Sequence, residues 1–185
     1  MNAIVESKQA ALPVRQENVD VPQYLTFMLG GEMFAIGILV IKEIIEYPTL
    51  TTVPMMQECI RGVINLRGAV VTVMDLSVRF ERASTDVTKR TCIVIMEIEE
   101  DGERQVIGVV VDAVNAVLEI PDSEIAPPPT FGAKIRSEFI TGMAKINDKF
   151  VIILDVNKVF SIEELGGLAD SMMAESIVDA ATEQI

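Results

Sequence analysis

The sequence contains no histidine and only two cysteines, Cys59 and Cys92. Without histidine the usual zinc sites are excluded, as is any Ser-His or Cys-His nucleophilic pair. Proton transfer near neutral pH loses its commonest carrier, leaving carboxylates and lysine for that work. Two cysteines make neither a disulfide framework nor a metal motif. No GxxxxGK[ST] or GxGxxG phosphate loop is present, and no GxSxG serine elbow. Bases are scarce too, with 15 Lys and Arg against 28 Asp and Glu, a net charge of -13. Such a surface repels nucleic-acid phosphates and an anionic membrane face. Long apolar runs are also missing. Residues 33–41 form the longest early one and stop at Lys42-Glu43, whereas a membrane span needs roughly 20 residues. Residues 1–14 lack the apolar stretch of a signal peptide. The expectation is a cytoplasmic protein that binds rather than catalyses and needs no cofactor.

Half of the 185 residues are hydrophobic, ample for a real core. Residues 1–22 read as a polar tail carrying Pro13 and Pro22. Residues 161–185 read as a second tail. Beyond Gly166-Gly167, Leu168, Met172, Ile177 and Ala181 recur at helical spacing. With Asp170, Glu175, Asp179 and Glu183 mostly on another face, this predicts a short acidic amphipathic helix. Between the tails the pattern is mostly strand: residues 24–29, 33–36, 70–74, 91–98, 105–111 and 150–154 are β-rich. Gly30-Gly31 marks a hairpin turn.

An internal duplication organises this body. Glu58, Gly62, Val71, Asp75 and Phe80 match Glu138, Gly142, Val151, Asp155 and Phe160, each at an offset of 80. Upstream, Ile36-Gly37 matches Ile107-Gly108 at an offset of 71. Each copy reads as strand, irregular apolar segment, proline-bearing loop, short helix ending at glycine, hairpin, and an Asp starting a final helical turn. Residues 150–154 are apolar on both faces, so the sister copy or a partner must cover the outer one.

Several residues admit two readings. Asp75 and Asp155 could be an acid dyad of the aspartic-protease type, but their contexts, Asp75-Leu76-Ser77 and Asp155-Val156-Asn157, favour helix N-caps. Arg67 is either a solvated turn residue, with Gly68 supplying the positive φ, or a planar five-donor fork offered to a partner. Glu43 is a solvated charge or an interface rim. Arg61 is expected to end a short helix beginning near Pro54, where a cation complements the helix dipole, or else to lie on that rim.

One run of residues resembles a known family. Phe27-x-Leu29-Gly30-Gly31-Glu32-x-Phe34-x-Ile36 is followed by Val40-x-x-Glu43-Ile44 and Val53-Pro54. Then come Gly62-Val63-Ile64-Asn65-Leu66-Arg67-Gly68-x-Val70-Val71-x-Val73-x-Asp75-Leu76. The pattern resembles the CheW family of bacterial chemotaxis coupling proteins over residues 23–160. Thr72 departs from it, standing where many members have proline. The resemblance implies a mainly β fold: two five-stranded SH3-like β-barrels in tandem, with short helices. The barrels would span about 23–85 and 86–160, with strand exchange between them allowed for. It implies a non-enzymatic adaptor linking chemoreceptor cytoplasmic tips to the histidine kinase CheA in membrane-associated arrays. A CheW-like scaffold in another kinase pathway, for surface motility or development, is the alternative. By position, Ile38, Val40 and Ile41 would line a groove for a receptor helix. Glu43, Arg61, Asn65, Arg67 and Val70 would fall in the coupling region. The kinase-facing residues are not assigned.

Overall fold

The computed structural model describes residues 21–128 and 135–161. The expected polar tail (save residues 21 and 22) and the expected acidic helix lie outside them. A hairpin, β1 (Gln23–Leu29) and β2 (Glu32–Gly37), leads through a 3-10 turn (Ile38–Val40) into β3 (Ile41–Glu46). A second hairpin, β4 (Ile60–Leu66) and β5 (Ala69–Asp75), ends in the single-turn helix α1 (Leu76–Arg79). The plan then repeats. Hairpin β6 (Cys92–Glu100) and β7 (Glu103–Val111) runs into β8 (Ala113–Glu119) and the two-residue β9 (Ile125–Ala126). Hairpin β10 (Ile140–Ile146) and β11 (Lys149–Leu154) ends in α2 (Val156–Val159).

The turn chemistry explains the hairpins. All four close on two residues with positive φ: Gly30-Gly31, Arg67-Gly68, Asp101-Gly102 and Asn147-Asp148. Such turns match the right-handed twist of the flanking strands and favour Gly, Asn and Asp. Arg67, at φ 52°, does not belong to that set. Gly68 carries a positive φ of 85° as expected, and Arg67 shares it.

The duplication is structural. β4 and β5 pair as Ile60↔Met74 and Gly62↔Val73; β10 and β11 pair as Ile140↔Leu154 and Gly142↔Ile153. Both hairpins carry a bulge at the same place, leaving Arg61 and Thr141 as the extra residues. Close packing selects the following glycine in each copy. A Cβ on Gly62 would lie 2.4 Å from the Thr51 carbonyl oxygen, and one on Gly142 would lie 2.7 Å from that of Ala126. Asp75 and Asp155 are N-caps as expected. Asp75 accepts from Ser77 N, and Asp155 accepts from Asn157 N and Lys158 N.

The sheets cut across the two copies. One has the order β8-β1-β2-β11-β10-β9 and the other β3-β6-β7-β5-β4. Each takes its central hairpin from one half of the chain, and the strands flanking it from the other half. β2 and β11 run parallel, as do β5 and β7. The architecture is mainly β in two related sheets. Two details differ from the expected pair of five-stranded barrels. One sheet has six strands, and neither closes on itself. The edges that closure would use are already occupied, that of β10 by β9 and that of β4 by a bridge from Thr51 to Val63.

Three apolar clusters result. Val71, Val73, Ile93 and Ile95 fill the five-stranded sheet, and Ala35, Ile120, Val151 and Ile153 the six-stranded one. The largest lies between them and includes Phe27, Phe34, Phe80, Phe139 and Phe160. β11 is thus covered on both faces from Val151 to Leu154, as its composition required, whereas Phe150 is 63% exposed.

The helix expected between Pro54 and Arg61 is not formed. Residues 54–55 and 58–59 are turns, Met55 has φ 63°, and β4 already begins at Ile60. A left-handed residue ends helical hydrogen bonding, so Arg61 serves no helix dipole. Its second-copy counterpart is a 3-10 turn (Ser137–Phe139).

Because each sheet needs both halves, neither half can bury its own strands. Fragments 1–85 and 86–185, purified separately, are expected to lack β-sheet circular dichroism and cooperative melting. Mixing them should restore both. A cooperative transition in either fragment alone would contradict the exchange.

Candidate functional site

The structure distributes the expected site residues over three places. The first is a groove of about 940 Å³ walled on one side by Ile38, Leu39 and Val40 and on the other by Ile153, Leu154, Asp155 and Val156. In a three-residue turn successive side chains point in different directions. Ile38 and Val40 are therefore half-buried, while Leu39 is 98% exposed. Sequence reading passed over Leu39; its middle position in an apolar triplet was the available signal. Ile41 opens β3 and packs against the large central cluster.

The second place is the Arg67 turn. Asn65 Oδ1 accepts from Gly68 N at 2.9 Å and fixes the turn from within. Arg67 Nη2 reaches Glu43 Oε2 on β3 at 3.0 Å, with the arginine side chain 78% exposed. An exposed pair of this kind adds little to stability. Val70, 73% exposed, borders a smaller groove of about 590 Å³ with Lys42, Glu43 and Arg67. Its second-copy counterpart is Phe150, also exposed; the offset of 80 from Val70 was the signal that pointed to it.

The third place is interior. Arg61, the bulge residue of β4, turns inward, as bulges allow by re-aiming a side chain. Its Nε donates to Asp75 Oδ2 at 3.1 Å, and Nη2 lies 3.0 Å from the same oxygen. It also donates to Tyr47 Oη at 3.0 Å, to Ser84 Oγ at 2.9 Å, and to the Thr85 carbonyl. Burial alone would lower its pKa. Hydrogen bonding to Tyr47 and the charges of Tyr47 and Asp75 outweigh burial and hold the guanidinium above its ordinary value. Asp75, with its side chain 1% exposed, also accepts from Ser77 N, Thr85 N and Thr85 Oγ1. This network ties residues 84–85 and Tyr47 to the end of β5. Asp155 follows β11 of the other sheet and lines the 940 Å³ groove, whose lining does not include Asp75.

Cys59 is buried, and burial pushes its thiol above the ordinary range against the opposing pull of Arg79. It is an inert core residue. Among the described residues no group of His, Cys, Asp and Glu is arranged to hold a metal ion, and no helix is long and apolar enough to cross a membrane.

A chain with apolar grooves, an exposed ion pair and this strand exchange can be compared with known proteins. The sequence model of the CheW-like domain matches residues 23–164. The chain belongs to the CheW family. It is 34% identical over 159 residues to the chemotaxis protein CheW of Klebsiella aerogenes, covering 86% of this chain and 90% of that one. It is 32% identical to the chemotaxis protein CheW of Bacillus subtilis, over 75% of this chain and 86% of that one. Among solved structures it resembles the scaffolding protein TtCheW from Thermoanaerobacter tengcongensis. The TM-score is 0.68 and the identity 34%, covering 76% of this chain and 88% of that one.

The two bulge residues of this CheW-like domain should behave differently. Arg61→Ala leaves a buried carboxylate without its cation, a change that costs about 3 kcal/mol. Thr141→Ala, exposed at the equivalent bulge, should stay within about 0.5 kcal/mol. Urea denaturation measures both. A near-neutral Arg61→Ala would mean the network does not hold the fold.

Proposed function

We propose that this chain is a chemotaxis adaptor. It couples the cytoplasmic tips of chemoreceptors to the histidine kinase CheA by binding alone, working in the cytoplasm at membrane-associated arrays. Family membership supports the chemotaxis setting. The single observation that carries the coupling role is Arg67. A left-handed backbone costs a non-glycine residue about 1 kcal/mol, and such strain collects at functional sites. The equivalent turn in the second copy uses Asn147-Asp148, which tolerate that conformation. An arginine kept in the strained place, its fork exposed beside Glu43, has the attributes of a recognition residue.

The groove and the ion pair lie on one stretch of chain. From Leu39 to Glu43 is four residues, at most about 13 Å when extended, and a helix is about 10–12 Å wide. A receptor helix seated against Ile38, Leu39 and Val40 therefore lies within reach of the Glu43-Arg67 pair. The apolar residues would supply affinity, and the charges orientation and on-rate. Val70 lies at the rim and Asn65 holds the turn. Arg61 contributes from inside by fixing β4. The scaffold role outside chemotaxis has less support. The relatives matched over most of the chain carry the name chemotaxis protein CheW.

Two measurements follow. Leu39→Asp should lower affinity for a chemoreceptor helical hairpin about 10- to 30-fold, the size of a buried anchor's contribution, with an unchanged melting temperature. Binding equal to wild type would exclude the groove as the receptor site. Arg67→Asn should melt at the wild-type temperature or slightly higher, by relief of turn strain, yet reduce receptor-dependent activation of CheA. Full activation by the Arg67→Asn variant would leave Arg67 an ordinary turn residue.

A further inference from the structure

The two copies differ in how their capping aspartates are satisfied. Asp75 Oδ1 takes the helix N–H of Ser77, and Asp75 Oδ2 takes the Arg61 fork. In the second copy Asp155 Oδ1 takes both helix donors, Asn157 N at 3.1 Å and Lys158 N at 3.3 Å. Among the described residues nothing donates to Asp155 Oδ2. The bulge residue that carries the cation in the first copy is Thr141 in the second. A short side chain without charge leaves room at that place, and the apolar groove opens there, lined by Thr141, Asp155, Val156 and Leu39. Glu119, also on its wall, adds a second negative charge.

We propose that this end of the groove takes an arginine side chain from a partner helix, in the position that Arg61 holds beside Asp75. The fork geometry is that of the first copy, where Nε and a terminal nitrogen address one carboxylate oxygen. Charge complementarity selects a guanidinium, and the apolar walls select its carrier, an amphipathic helix with aliphatic residues flanking the arginine. The inference rests on the adaptor reading in one respect: the helix is assigned to a receptor.

The test uses the full chain. N-acetyl-arginine amide is titrated in with amide NMR detection, and N-acetyl-glutamine amide serves as the neutral control. The arginine probe is expected to shift the amides of Thr141, Asp155 and Val156 saturably, and the glutamine probe is not. Thr141→Arg supplies the cation internally and should abolish the response. Asp155→Asn should abolish it as well while keeping a good N-cap, so one variant remains informative if the other folds poorly. Equal shifts from both probes, or none, overturn the proposal. A receptor hairpin should bind Thr141→Arg about tenfold more weakly than wild type. Equal binding to both overturns the arginine assignment and leaves the adaptor reading standing. A hairpin that binds neither overturns the adaptor reading, and the probe titration still decides the pocket. If Arg15→Gln or Lys8→Gln moves the same amides without any probe, the chain's own N-terminal segment holds the place and the partner assignment is overturned. Shifts that depend on protein concentration would assign it to a second copy, with the same consequence.

Discussion

Each sheet is assembled from both halves of the chain, and this reciprocal exchange of strands is the constraint on which the rest of the structure depends. The parallel pairs β2 with β11 and β5 with β7 are its seams. Because every hairpin is local but every sheet is not, burial is complete only when both copies have folded together. The central cluster with Phe34, Phe80 and Phe139 in ring-to-ring contact at 5.7 and 6.0 Å is the product of that assembly. The groove walls are set by it as well. Ile38 to Val40 follow β2, while Leu154 ends β2's parallel neighbour β11 and Asp155 and Val156 follow it.

The two copies share a scaffold but diverge at their bulges and turns. The first copy commits its bulge residue to the interior, closing Asp75 off from any ligand, and presents Arg67 at its turn. The second keeps a plain Asn-Asp turn and a small bulge residue, and it opens beside Asp155. One sequence position in each copy decides whether the capping aspartate is closed off by an internal guanidinium or lines the groove. A duplicated fold thereby gains two different surfaces, which is what an adaptor that touches more than one neighbour requires.

Much of this was legible in the residues. The offset of 80 located the repeated hairpins, turn chemistry located their tips, and the Asp-x-Ser/Asn contexts identified the caps. β3 and β8 were harder to read. β3 alternates half-buried and exposed positions, but Glu43 stands on the half-buried face and Ile44 on the exposed one, and β8 is mostly exposed, so polarity does not mark either strand. The exchange was allowed for only through the family resemblance, because local pattern fixes hairpins and not which hairpin lies beside which. Arg61 was misplaced for a related reason. Its partner Asp75 lies fourteen residues away across a hairpin, and the bulge that aims it inward leaves no periodic trace. Leu39 was overlooked because apolar composition says nothing about which member of a short turn faces out.

The central claim is that the groove beside Leu39 receives a chemoreceptor helix while the same molecule engages CheA. A photo-crosslinking side chain at position 39, in complexes reconstituted from receptor hairpin, CheA and this protein, tests it directly. The predicted result is covalent capture of the receptor hairpin from position 39, undiminished when CheA is present. Capture of CheA alone, or none in complexes that have formed, would contradict it.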